Sequence, residues 1–188
     1  MSDQNITKSF SDKGATIVLH RNNPDLPQST CRELTQNGIG VVDFGMGTNL
    51  DSDESDDAAE TRTKNTLRRI SAGGAYGAIH VKNREVVVVG YASPRAIRFF
   101  ELENVDGEKR TYPGFQFERF GEVPDRAGGV FEQLNTAIKN RLNKPTLYEP
   151  DEGTPNRPGI ETIRRRSSNL TKWDDSAGQS SKPLGIHQ

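Results

Sequence analysis

The sequence predicts one α+β (or α/β) domain over residues 14–146, preceded by a flexible N-terminus over residues 1–13 and followed by a disordered tail over residues 147–188. Three observations support this architecture. Short apolar runs have strand length, apolar residues recur at helical spacing between them, and both patterns stop near Glu149. The chain of 188 residues also has the size of one domain, because domains usually span about 100–200 residues.

The composition fits a folded core that is diluted by polar ends. Hydrophobic residues make up 31% of the chain, whereas ordinary globular chains contain about 45–50%, glycine included. Apolar clusters nevertheless follow one another between Ala75 and Phe120, while single apolar residues are scattered after Glu149. The C-terminal segment also contains many prolines, glycines and serines, so it is predicted to bury too little apolar surface to fold.

The N-terminal part of the domain has the pattern of a βαβ unit. Residues 15–20 are rich in β-branched side chains and predict a strand, and residues 39–44 predict a second buried strand. Between them, Ser29 is a candidate helix cap and the Asn37-Gly38 pair is a candidate helix end. Because strand, helix and strand follow one another within about 30 residues, the two strands are expected to be parallel neighbours.

A basic helix is predicted next. Residues 51–57 contain only acidic residues and serine, and they are expected to form an exposed loop. Asp57 and Glu60 have the spacing of a capping box, so a helix is expected over residues 58–71. The glycine pair at 73–74 is a suitable helix end, because glycine adopts the left-handed conformation at low cost.

The rest of the domain is predicted to contain a four-stranded antiparallel section and a closing helix. Turn-forming residues at 83–84 and 106–107 join the first two and the last two strands. Residues 127–142 carry apolar side chains at helical spacing and predict the closing helix. The four strands are placed at residues 76–81, 86–91, 97–102 and 112–120.

Composition and spacing argue against a metal or cofactor site. Cys31 is the only cysteine, so the chain has no internal disulfide and no cysteine-based zinc site. The three histidines are too dispersed to suggest metal ligation, and no metal site is predicted. Gly45 and Gly47 lack the third glycine of a dinucleotide fingerprint, because Leu50 occupies its position. No cofactor is therefore predicted.

The expected location of the protein is the cytoplasm. The first residues lack the basic and apolar regions of a secretory signal. No apolar run approaches the roughly 18 residues that a membrane-spanning helix needs. No membrane partner is therefore expected.

One local feature stands out, a block of basic residues. The net charge of the chain is only −1, but residues 61–100 carry eight lysines or arginines and a single acid, Glu85. This basic block has a net charge of +7, and acidic segments flank it on both sides. Its basic residues are Arg62, Lys64, Arg68, Arg69, Lys82, Arg84, Arg95 and Arg98.

The basic block predicts a non-catalytic protein that is associated with nucleic acid or has a regulatory role. Lysine and arginine side chains neutralise the phosphates of DNA or RNA and release counterions. Tyr76, Tyr91 or Phe99 would offer a ring on which an unpaired base stacks. The arginine run at 164–166 would add non-specific contacts from the tail.

A second explanation competes for part of the basic block. A helix C-terminus favours basic side chains, which accounts for Arg68 and Arg69 without any ligand. It does not account for the basic residues outside the helix, Lys82, Arg84, Arg95 and Arg98. The acidic loop at 51–57 is a candidate for masking the basic block.

Two alternative functions stay open at the level of sequence. A metal-dependent nuclease would use His80, Lys82, Glu101 and Glu103, because such sites combine carboxylates and a lysine with a metal that activates water. A protein-interaction or accessory module, with another protein as its partner, would need no nucleic acid. The sequence therefore leaves open whether the protein is an enzyme.

Overall fold

In the computed structural model, the described residues are 15–22, 25–42, 58–81, 87–123, 147–150, 153–154 and 156–170. They form strands and helices in a mixed order, which confirms the α+β class. The strands are β1 (Thr16–Arg21), β2 (Ile39–Val41), β3 (Ala75–His80), β4 (Val87–Ala92), β5 (Ile97–Glu103), β6 (Lys109–Gln116), β7 (Arg119–Glu122) and β8 (Leu147–Tyr148). The helices are α1 (Gln28–Gln36), α2 (Ala58–Gly73) and α3 (Arg157–Asn169).

The strands form two sheets. The five-stranded sheet has the order β7-β4-β3-β1-β8, and the three-stranded sheet has the order β2-β6-β5. The pairing of β1 with β3 is parallel. The pairings of β1 with β8, β3 with β4, β4 with β7, β2 with β6 and β5 with β6 are antiparallel.

The expected parallel pairing of β1 with β2 is wrong. β2 lies in the other sheet, where its three residues pair with β6. The parallel neighbour of β1 is β3, from Thr16 opposite Ala75 to Arg21 opposite His80. Glycine explains why β2 fits beside β6: a Cβ at Gly114 would lie only 2.2 Å from the carbonyl oxygen of Gly40, so only glycine allows this close approach.

The four predicted strands of the antiparallel section form, but they divide between the two sheets. The β3–β4 pair belongs to the five-stranded sheet and the β5–β6 pair to the three-stranded sheet. The predicted strand at 112–120 is two strands, because the chain leaves β6 after Gln116 and returns to the five-stranded sheet as β7. The turn between β5 and β6 is confirmed, with Gly107 at a φ of 79°.

A glycine ends α2, as the sequence predicts, whereas α1 begins at a different residue from the one expected. The amide of Gly74 donates a hydrogen bond of 2.7 Å to the carbonyl of Ile70, and its φ is 75°. This confirms the predicted glycine stop after α2. α1 begins at Gln28, directly after Pro27, and not after the candidate cap Ser29.

Both faces of the five-stranded sheet are covered, so the described part of the molecule has three layers. The face that packs against α3 carries Ile17, Leu19, Tyr76, Ala78 and Val89. The opposite face packs against α1, α2 and the three-stranded sheet, in a cluster that includes Val18, Leu34, Leu67, Ile70, Phe100 and Phe115. The sheet therefore separates α2 from α3.

The predicted start of the disordered tail at residue 147 is wrong. β8 pairs with β1 at the edge of the five-stranded sheet, and α3 packs against the same sheet through Ile160 and Ile163. The folded unit therefore extends to Leu170. The sequence conceals α3 because small residues, Gly159 and Ser167, complete its buried side.

Several other predicted features lie outside the described residues. They are the N-terminal segment at 1–13, the acidic loop at 51–57, the turn at 83–84, the closing helix at 127–142 and the last part of the tail at 171–188. Within the described residues, none of the helices combines the length and the apolar character that crossing a membrane requires.

Candidate nucleic-acid interface

α2 carries basic side chains on the side that faces away from the core. Leu67 and Ile70 are buried in the cluster beneath the helix. Arg62 and Arg69 are exposed and Arg68 is half-buried on the other side. We call Arg62, Arg68 and Arg69 the basic face of α2. Arg62 and Arg69 are seven residues apart, which corresponds to about 10 Å along a helix that rises ~1.5 Å per residue.

Lys64 does not belong to the basic face of α2. Its exposure is 3%, and it lies three residues before the buried Leu67, on the side of the helix that meets the core. The same helical spacing is present in the sequence, because residues three apart share a helix face. Net charge along the sequence does not distinguish Lys64, because it does not separate buried from exposed basic side chains.

Arg69 forms an ion pair with Glu149, the residue that follows β8. The second carboxylate oxygen of Glu149 accepts a hydrogen bond of 2.8 Å from the hydroxyl of Thr16 on β1. The side chain of Arg69 is still 59% exposed, so solvent screens the pair and we expect it to contribute only ~0–1 kcal/mol to stability. Glu149 therefore neutralises part of the positive charge of the basic face, although the ion pair contributes little to the stability of the fold.

Arg68 lies along the helix surface. Its Nη1 donates a hydrogen bond of 3.3 Å to Oδ1 of Asn65, one turn earlier. This contact fixes the direction of the guanidinium group, which then loses less conformational entropy when it binds a second acceptor. The basic face is in this respect partly preorganised.

The other described members of the basic block lie near the start of β5. Arg95 is exposed in the turn before β5, where its amide donates to the hydroxyl of Ser93. Arg98 is exposed on β5, opposite Gly114 of β6. α2 packs against β5, the strand that carries Arg98. Lys82 and Arg84 lie outside the described residues.

The aromatic residues predicted to stack on bases do not share this surface. Tyr76 and Tyr91 lie on the opposite face of the five-stranded sheet, where their rings pack 5.2 Å apart near α3. Phe99 is 39% exposed, but it neighbours Arg98 on the same strand and therefore points to the other face of the three-stranded sheet. The basic face of α2 thus carries charged groups, and none of these three rings lies beside it.

The structure does not bring His80 together with the two glutamates of the predicted nuclease. His80 is buried on β3, and its Nδ1 lies 2.8 Å from the carbonyl oxygen of Val81. Glu101 and Glu103 are exposed on β5, in the other sheet, opposite Thr111 and Lys109. Lys82 lies outside the described residues. Among the residues that the structure describes, no group of three or more His, Cys, Asp or Glu side chains is arranged to hold a metal ion.

A buried polar network at the end of β1 was not predicted from the sequence. Oδ1 of Asn22 accepts a 3.0 Å hydrogen bond from the amide of Val41 and lies 3.2 Å from Nε2 of His20. Nδ2 of Asn22 donates to the hydroxyl of Thr35 at 2.6 Å and to the carbonyl of Ile39 at 3.1 Å. One side chain thus joins β1, α1 and β2, which is a structural role.

Cys31 lies beside this network but is not an activated nucleophile. Its thiol contacts the carbonyl oxygen of Leu26 at 3.8 Å, and its side chain is buried. Burial raises the pKa of the thiol from 9.0 to about 11, and a hydrogen bond from the backbone offsets only part of this. The thiolate, which is the reactive form, is therefore scarce at neutral pH.

A second set of arginines lies on the far side of the five-stranded sheet. Arg157, Arg164 and Arg165 are exposed on α3, with Glu161 among them. The run predicted to contact nucleic acid from a mobile tail is therefore part of a packed helix. Because the sheet separates α3 from α2, the two sets of arginines lie on opposite sides of the sheet.

Comparisons with known proteins do not supply a function. No protein-family model, no curated protein and no solved structure matches the chain.

Proposed function

We propose that the protein is a non-catalytic, nucleic-acid-associated protein that contacts phosphate backbones through the basic face of α2. The observation that carries this proposal is the position of Arg62, Arg68 and Arg69 on the solvent side of one helix. Together they cover about two turns of that helix. Guanidinium groups match phosphate oxygens because their N–H donors form two parallel hydrogen bonds to one anion.

The dimensions of the basic face suit a nucleic-acid strand. Arg62 and Arg69 are separated by about 10 Å along the helix, and phosphates of one DNA strand recur about every 3.4 Å along the duplex axis. A strand that runs along α2 thus places more than one phosphate within reach of the three arginines. Arg95 and Arg98 on the adjoining turn and strand would extend the contact to neighbouring phosphates.

The contacts supported by this geometry are independent of base sequence. Phosphate contacts position a protein on nucleic acid but carry no direct sequence information. The aromatic side chains that would stack on bases lie on other surfaces of the described residues. We therefore expect similar affinity for different sequences and a strong dependence on salt.

A salt titration of binding with matched variants tests the proposal. Purified protein is titrated with single- and double-stranded DNA and RNA from about 50 to 200 mM salt, with and without Mg²⁺. R62Q/R69Q removes two charges from α2, and R157Q/R164Q removes the same number from α3 on the far side of the sheet. We expect the first variant to lose most of the binding and the second to keep it, with no cleavage in Mg²⁺.

Three outcomes would count against the proposal. Absence of binding at about 50 mM salt would leave the protein-interaction module as the better explanation. Equal losses in the two variants would show that overall charge, and not the basic face of α2, controls binding. Cleavage that depends on Mg²⁺ would support a nuclease. Thermal melting of both variants establishes that neither loss reflects unfolding.

A further inference from the structure

A cavity of about 350 Å³ lies between the C-terminal turn of α3 and the edge of the five-stranded sheet formed by β4 and β7. Its size is at the lower end of the range for small-molecule sites, roughly 300–1,000 Å³. Its lining combines the apolar residues Val89 and Leu170 with the basic residues Arg165 and Arg166. Glu122 also borders it, but it pairs with Val88, so its side chain points to the opposite face of the sheet. It lies on the α3 side of the sheet, away from the basic face of α2.

Glycine at residue 121 lets Leu170 pack closely against β7 in the wall of the cavity. Gly121 lies directly opposite Val89 in the β4–β7 pair. A Cβ at residue 121 would lie 3.1 Å from Cδ2 of Leu170, so a larger side chain would have to displace Leu170. The backbone of β7 therefore forms part of the wall, and Leu170 covers it from the helix side.

Positive charge dominates the rim of the cavity. Arg165 is exposed and Arg166 is half-buried, both in the last turns of α3. Arg119 lies close by, because its Nη1 donates a 3.4 Å hydrogen bond to the carbonyl of Leu170 and its guanidinium stacks 4.9 Å from the ring centroid of Tyr91. The helix dipole favours basic residues at a C-terminus, which explains why arginines occur there. It does not explain why they line a cavity together with apolar side chains.

We propose that this cavity binds a small phosphate monoester of about the size of a nucleoside monophosphate. Arg165 and Arg166 hold the phosphate, since a guanidinium group donates paired hydrogen bonds to phosphate oxygens. Val89 and Leu170 contact the apolar part of the ligand. The volume of about 350 Å³ leaves little room for a ligand that carries further phosphates.

Calorimetric titration of the full chain with AMP, adenosine, inorganic phosphate and ATP tests this site. We expect AMP to bind about tenfold or more tightly than adenosine and inorganic phosphate, because it uses both the arginines and the apolar wall. ATP should bind no more tightly than AMP. R165Q and G121V should each weaken AMP binding about tenfold, the first by removing a phosphate contact and the second by displacing Leu170 from the apolar wall.

R157Q is the matched control, because it removes a charge from the same helix without altering the wall of the cavity. Its affinity for AMP should equal that of the wild type. The proposal is overturned if AMP does not bind, if R165Q and R157Q weaken it equally, or if ATP binds more tightly in proportion to its charge. R165Q changes an exposed side chain, so it stays informative even if G121V fails to fold.

Discussion

Arg69 on α2 and Glu149, 80 residues later in the chain, form an ion pair at the edge of the five-stranded sheet. Glu149 also accepts a hydrogen bond from Thr16, so it is held in place by β1. The pair ties the candidate nucleic-acid interface to the segment after β8. It also places a carboxylate where a phosphate would bind.

E149Q should therefore strengthen nucleic-acid binding. The substitution keeps the size of the side chain but removes the charge that competes with phosphate for Arg69. We expect a gain of several-fold in affinity at low salt and a loss of stability below about 1 kcal/mol, as for other exposed ion pairs. Binding titrations and urea unfolding measure the two effects. E161Q on α3 makes the same change of charge elsewhere, and an equal gain in that variant would refute the local explanation.

The salt dependence of binding should reflect three arginine contacts. Each phosphate neutralised on a duplex contributes about −0.9 to the slope of log K against log salt, so we expect a slope near −2.7 from the basic face of α2 alone. R62Q should reduce the magnitude of the slope by about 0.9. A slope that R62Q leaves unchanged would exclude Arg62 from the contact, and R157Q provides the comparison.

N22A should be among the most destabilising substitutions in the described part of the chain. It leaves the amide of Val41, the carbonyl of Ile39 and the hydroxyl of Thr35 without the partner that Asn22 supplies. Because a buried polar group without a partner costs ~1–3 kcal/mol, we expect a loss of about 3 kcal/mol or more.

N37A is the control for N22A in urea unfolding. The side chain of Asn37 donates one exposed hydrogen bond, to the carbonyl of Glu33. We expect a change within about 0.5 kcal/mol, as is usual for surface positions. Similar effects of the two substitutions would contradict the structural role of Asn22.

Cys31 should make stability depend on pH in the alkaline range. Its pKa is raised on folding from 9.0 to about 11, so the folded state holds the thiol proton more strongly than the unfolded state. The resulting stability is fully present below pH 9 and is lost as the pH rises towards 11. Urea unfolding of wild type and C31A across this range should show a steeper decline for the wild type. Parallel curves would argue against the raised pKa.

Local sequence patterns predicted the strands and helices better than they predicted which strands pair with each other. The β-branched run before Arg21 and the glycine stop at Gly74 identify β1 and the end of α2 by local energetics. The partner of β1 was mistaken because β2 and β3 are both short, apolar and preceded by a helix. Which of them reaches β1 depends on tertiary packing, where Gly40 and Gly114 let β2 and β6 approach.

The candidate site was predictable only in part. Helical spacing distinguishes the buried Lys64 from the exposed Arg62 and Arg69, so that division was available in the sequence. The pairing of Arg69 with Glu149 was not, because the two residues meet only when β8 closes the sheet. The cavity beside Gly121 was not predictable either, because its lining residues are far apart in the sequence and meet only in the folded chain.

β8 has only two residues, yet it occupies the outer edge of the five-stranded sheet beside β1. A chain truncated after residue 146, where composition alone would place the domain boundary, would uncover that edge together with the apolar face that α3 covers. Unpaired edge strands recruit other chains, so such a fragment should self-associate and precipitate. The C-terminal segment is thus expected to protect the sheet from association with other chains. Size-exclusion chromatography of fragments ending at 146 and at 170 would show whether only the shorter fragment self-associates.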